Sequence, residues 1–181
     1  AFSVRDPAPA SMADQAERGP LKFLLGTFEG DGVVTVHGKG IPYRESIEFW
    51  HEGDKPFVCY RQRTWHKEHG KEMHFESGYL RGKGGNQFEF SISQCTGVVE
   101  HLVGTLETGE LTFSSSQHPA DGAGKVLDLR TAGVLNATKV RHIRRRIKVE
   151  GDFMHYTLEL GLVATEGDTP HLCGELRRVV A

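Results

Sequence analysis

The stretch TPHLCGELRR, residues 169–178, carries a lone histidine, His171, between a turn and an apolar strand, with Cys173 two positions on. A neutral imidazole is a good ligand for a transition metal, and a single one leaves the rest of a coordination sphere open. A histidine at a strand rim is usually just a half-exposed side chain with a satisfied ring nitrogen. His74, in MHFESGY, poses the same choice between a pocket and water. His66 and His69 share the hydrophilic turn WHKEHGK, where no sequence spacing assembles three zinc ligands. Arg61 and Arg63 share a face with Phe57 and Trp65, so they are candidate interior cations for a bound carboxylate, although parity equally allows them to face water.

Bulk properties narrow what could hold these groups. The 181 residues suffice for one domain with a real core. With 22 basic against 24 acidic residues, net charge −2, no overall field recruits nucleic acid or an anionic membrane. The three cysteines, Cys59, Cys95 and Cys173, show no metal-ligand spacing and read as reduced thiols, which implies a cytoplasmic location. No apolar run approaches the roughly 18 residues of a membrane span.

The elements that must position the histidines are strands. Residues 12–25 offer a helical start that Gly19-Pro20 limits to a short helix or turn. Residues 1–20 read as an N-terminal extension, disordered or carried over from upstream, and 21–181 as the domain. Runs rich in Val, Ile, Thr, Tyr and Phe then recur between turn signals such as Gly84-Gly85-Asn86 and Gly151-Asp152. This predicts an all-β fold, an antiparallel up-and-down barrel of about ten strands of the lipocalin and fatty-acid-binding type, since closure hides the edges. Period-2 parity puts Met154, Tyr156, Leu158, Leu160 and Leu162 inside and His155, Thr157 and Glu159 in water. In KVRHIRRRIKV, Ile143, Ile147 and Val149 share the inner face with one exception, Arg145, while His142, Arg144, Arg146 and Lys148 form a solvated side. Residues 114–137 interrupt the rhythm and read as a long excursion with a short strand at 126–129.

In GTFEGDGVV, Phe28, Gly30, Gly32 and Val34 share one parity. Repeated glycine inside a strand signals close backbone approach or empty space, or a bend at a barrel corner. The reading adopted is a barrel plugged near Phe28 and open above Gly30 and Gly32.

LLGTFEGDG resembles the GxWxGxG signature of the nitrobindin family, with Phe28 in place of its tryptophan. The segments YRESIEFWHEGDKPFVCYRQRTW, MHFESGYLR, TGVVE and PHLCGELRR are similar to that family's successive blocks in the same order, from about Leu21 to Arg178. The resemblance implies a haem b cofactor with His171 as the axial iron ligand, His74 near the pocket, and a ferric iron that binds nitric oxide and isomerises peroxynitrite to nitrate. Parity aims His171 outward with Cys173 and Glu175, so an interior role requires a rim position or a bulge. The family's propionate-contacting Tyr-Pro-Thr segment is not recognisable in TVHGKGIPY, where His37 or Lys39 could substitute. Cys173 reads either as a neighbour of the iron or as a small buried filler. The alternatives are a metal-free carrier of fatty acids or small apolar ligands, and an interaction domain whose barrel is only a scaffold.

Overall fold

The computed structural model describes residues 19–52, 56–109, 124–164 and 166–179. A short 3-10 helix, Gly19–Leu24, precedes ten strands: β1 Gly26–Val36, β2 Lys39–Trp50, β3 Phe57–His66, β4 Glu72–Gly84, β5 Gln87–Gln94, β6 Val99–Gly109, β7 Gly124–Leu135, β8 Val140–Glu150, β9 Phe153–Leu162 and β10 Asp168–Val179. Each strand pairs antiparallel with its sequence neighbour, and β1 pairs with β10, so the meander closes and no sheet edge is left. No helix among the described residues is long and apolar enough to cross a membrane.

One end of the barrel is solid. Phe28, Phe49, Leu80, Phe90, Leu102, Leu127 and Met154 meet there with almost no exposure, and Leu21 and Leu24 of the helix cover them. The helix is pinned by Arg178, whose guanidinium donates to the carbonyls of Phe23 and Leu25 and lies 4.3 Å from the centre of the Phe28 ring. The aromatic plug at Phe28 is therefore present, clamped by a cation from the last strand.

The glycines of β1 have a different role from the one expected. A Cβ at Gly30 would collide with the backbone oxygen of Glu175, and one at Gly32 with the ring of Tyr43. Across the ladder Gly32 faces Gly174, where a Cβ would strike the Tyr156 ring. Of the readings the sequence offered, close approach is the one realised. The space over Gly32 and Gly174 is filled by two tyrosines, that over Gly30 by the β10 backbone, and the barrel opens further along β1, at Val34 and Val36.

Three other expectations change. The excursion over 114–137 contains β7, a full strand paired with both β6 and β8, and its first part, 114–123, lies outside the described residues. His155 is buried rather than wet. The basic face of β8 is covered: Arg144 pairs with Asp128, Arg146 with Glu159, and Lys148 has no exposed surface.

Gly30→Ala is expected to cost about 1–3 kcal/mol, because the obstacle is backbone that cannot rotate away. Gly133→Ala, with open space around it, should leave stability unchanged or raise it by up to about 1 kcal/mol. Urea unfolding of the two variants checks the contrast, and equal effects would contradict this account of the closure.

Candidate functional site: a half-apolar cavity with one free imidazole nitrogen

A cavity of about 380 Å³ occupies the open end. Its walls are apolar, with Val34, Val36, Val98, Ile143, Leu158 and Leu172 from four strands and a turn, and Val36 and Met73 are partly exposed at its mouth. Two histidines line it, His171 from β10 and His74 from β4, four strands apart around the barrel.

His171 reaches the cavity through a break in pleating. Pro170 pairs with Glu159 and Leu172 with the next residue of β9, Leu158, so His171 is the extra residue of a bulge. The apolar parity of Leu172, Gly174 and Leu176 survives, and the extra residue also turns inward. Its ring is held by Thr35, just beyond the end of the β1–β10 ladder at Val34 and Leu172: His171 Nδ1 lies 3.1 Å from the Thr35 carbonyl oxygen. A carbonyl only accepts, so Nδ1 carries the proton and Nε2 is left with its lone pair. Burial, opposed by the Thr35 hydrogen bond and helped by the nearby Arg145 guanidinium, lowers the His171 pKa and so favours the neutral ring. A neutral imidazole with an anchored Nδ1–H and an open Nε2 is the form that binds a metal. His74 is differently placed, with Nε2 3.2 Å from Glu76 Oε2 and Nδ1 3.9 Å from Cys95 Sγ.

The cavity floor is charged. Arg145, the exception on its strand, is almost fully buried and donates to both oxygens of Glu76, at 2.7 and 3.0 Å, and both of Glu100, at 3.0 and 2.9 Å. Burial alone would raise the Glu76 pKa, but Arg145, His74 and Tyr60 bring it down to about 2. Beside this cluster Glu45 is also buried, and here burial wins, pushing its pKa up to about 8 despite hydrogen bonds from Tyr156 and Gln62. Tyr156 in turn contacts Tyr43, oxygen to oxygen, at 2.6 Å. This polar layer separates the cavity from the solid apolar end.

Other candidates fall elsewhere. Phe28, Gly30 and Gly32 lie below the floor and do not line the cavity. His37 and Lys39 are exposed at the β1–β2 turn, next to the mouth at Val36; His37 and Gly38 both have positive φ, as a two-residue hairpin turn requires. Arg61 and Arg63 point outward and stack on Trp50 and Phe75, so the interior cation is Arg145 instead. Cys173 lines an outer groove with Val33 and Glu175, because the bulge aims only His171 inward. The turn after β3 does bring donor atoms of His66, Glu68 and His69 within 4.8 Å of one another, against the sequence expectation; the stacked rings and local backbone, rather than a ligand spacing, achieve it.

The chain matches the family model described as the THAP4-like, heme-binding beta-barrel domain over residues 17–178. It belongs to that family, the nitrobindins. A relative from Nocardia farcinica named peroxynitrite isomerase is 34% identical, covering 97% of this chain and 98% of its own length. One from Arabidopsis thaliana, named peroxynitrite isomerase Rv2717c, is 34% identical over 84% of this chain and 83% of its own. The crystal structure of Rv2717c from M. tuberculosis superposes with a TM-score of 0.76 at 28% identity, covering 97% of this chain and all of that one. The residues that line the cavity fit such a group: apolar walls would suit a flat macrocycle, and His171 Nε2 has no partner among the described residues.

Two stability measurements probe the floor. Arg145→Met should lose about 3–5 kcal/mol at neutral pH, since two buried carboxylates lose their counter-ion, with partial recovery in acid as they take up protons. Glu45 acts with opposite sign to Glu76. Its folded pKa is raised, so its contribution is full below the ordinary carboxyl range and is lost as pH rises through about 8. The wild-type advantage over Glu45→Gln should therefore shrink by on the order of a few kcal/mol across that window. Parallel stability curves would contradict this assignment.

Proposed function

We propose that the protein binds haem b in this cavity with His171 Nε2 as the nitrogen that would hold its iron, and that the loaded protein binds nitric oxide and isomerises peroxynitrite to nitrate. The observation that carries this reading is the His171 bulge, which spends an irregularity in a closing strand on aiming one neutral, anchored imidazole into an apolar cavity. Bound haem would supply the Lewis-acidic iron at which the peroxide is rearranged.

The chain's own residues do the rest. Thr35 fixes the ring's tautomer and angle, and the hydrogen bond at Nδ1 raises the donor strength of Nε2. Val34, Leu158 and Leu172 exclude water beside the site. His74, on another wall and held by Glu76, presents a polar group to a ligand in the cavity. His37 and Lys39 stand where carboxylates at the mouth would meet them.

The carrier alternative is disfavoured by charge. A fatty acid's carboxylate needs a free interior cation, and Arg145 is engaged by two glutamates, which leaves the cluster with one excess negative charge.

Titration of haemin into the purified protein should saturate at one equivalent with a sharp Soret band, and peroxynitrite decay should accelerate with the loaded protein. His171→Ala should weaken haemin binding by about 10–100-fold or more and abolish the acceleration. Undiminished haemin affinity and decay rate in the variant would overturn the assignment.

A further inference from the structure

The haem reading leaves Glu45 without a task. This glutamate is 2% exposed, and its two oxygens are treated unequally. Oε1 accepts from Tyr156, at 2.8 Å, and from Gln62. Oε2 is buried and has no hydrogen-bond partner among the described residues. A carboxylate in that setting would hold half its charge on a buried oxygen without a partner, whereas in a neutral acid protonated at Oε1 the unpaired oxygen carries no charge. From Oε1 a continuous path leads out: Tyr156 donates to Glu45, so Tyr43 donates to Tyr156 across 2.6 Å, and Tyr43 lines the cavity.

We propose that Glu45 is a proton-exchange group for the cavity, connected to it through Tyr156 and Tyr43, and that it serves small weak acids that enter neutral and bind as anions. The guest class rests on the haem reading; the proton path does not. The floor's excess negative charge disfavours an anion's entry, so the neutral acid is the form admitted. When Glu45 is ionised, the guest HX gives its proton to Tyr43, Tyr43 passes its own to Tyr156, and Tyr156 passes its own to Glu45 Oε1. The H–X bond and two tyrosine O–H bonds break, two tyrosine O–H bonds and the Glu45 O–H form, and X⁻ remains with no change in oxidation state. The reverse sequence returns the proton when the anion leaves. A group that titrates near pH 8 can run in both directions close to neutrality, which is what general acid–base exchange requires.

The groups that face Glu45 come from several strands. Tyr43 shares β2. Gln62 and Tyr60 come from β3, Glu76 from β4, Arg145 from β8 and Tyr156 from β9, and Glu100 of β6 is bonded to Arg145. β10 presents Gly174, where a side chain would press on Tyr156 and on Glu45 Oε2. Glu76 favours the neutral acid and Arg145 opposes it. Arg145, Glu76 and Glu100 are locked in their ion cluster and Tyr60 is bonded to Glu76 and Gln62, so the two tyrosines form the path to the cavity among the described residues.

Infrared spectroscopy of the haem-free protein, transferred into deuterium oxide at neutral pH, tests this whatever becomes of the haem reading. The wild type should show the carbonyl band of one un-ionised carboxyl, fading as pH rises through about 8 and missing in Glu45→Gln. Tyr43→Phe should keep the band but slow its deuterium shift by about tenfold or more. Loosening of the fold would speed that exchange, so slowing reports the path itself. If Glu45→Gln does not fold, the Tyr43→Phe comparison decides alone. Absence of the band, its survival in Glu45→Gln, or unchanged exchange in Tyr43→Phe would overturn the proposal.

Discussion

Arg145 is the constraint around which this barrel is organised. A guanidinium on the inner face of a strand has no water to solvate it, and it is tolerable only if acceptors meet it there. Glu76 and Glu100 do so with four hydrogen bonds. Their presence forces a polar layer across the barrel at one height, and that layer recruits further polar groups, Tyr60 onto Glu76 and Gln94 onto Glu100. Below it the interior packs solid with aromatic and aliphatic side chains. Above it the same strands continue with small and branched residues, so the walls enclose space instead of filling it.

Barrel closure and site formation share the same strand pair. β1 and β10 come close where glycines remove side chains, with Gly30 against the Glu175 backbone and Gly32 opposite Gly174. Two tyrosines fill the room so made and become part of the polar layer. At the other end of this ladder the pairing stops, the Thr35 carbonyl is available to a side chain, and the β10 bulge delivers His171 to it. The imidazole is therefore positioned by backbone on both sides, which suits a ligand whose angle to a bound metal has to be fixed.

Much of the fold was legible in the sequence because alternation is a direct imprint of a two-sided sheet. Phe88, Phe90 and Ile92 on one parity, or Met154, Tyr156 and Leu158, could be placed inside without coordinates, and closure follows once no strand can serve as an edge. β7 was hidden because polar residues and Gly133 break its alternation toward the open end, where the wall faces solvent. The site was less legible. A bulge has no reliable sequence mark, so parity aimed His171 outward, and only the family resemblance pointed to it. The glycines of β1 signalled something unusual, but glycine for close approach and glycine for empty space look alike in one dimension. The polar layer did leave a trace: Arg145 shares its parity with Ile143 and Ile147, and Glu76 and Glu100 share theirs with Leu80 and Leu102. Opposite charges misplaced on apolar faces of different strands are a signature of a buried ion cluster, and pairing those exceptions would have found it.

The proposed function requires His171 Nε2 to be the nitrogen that holds the cofactor's iron. A crystal structure of the haemin-loaded protein tests it most directly. Iron should be bonded to His171 Nε2, with Nδ1 still on the Thr35 carbonyl and the macrocycle between the apolar walls above Arg145. Iron bonded to His74, or haem bound outside the cavity with His171 unligated, would contradict it.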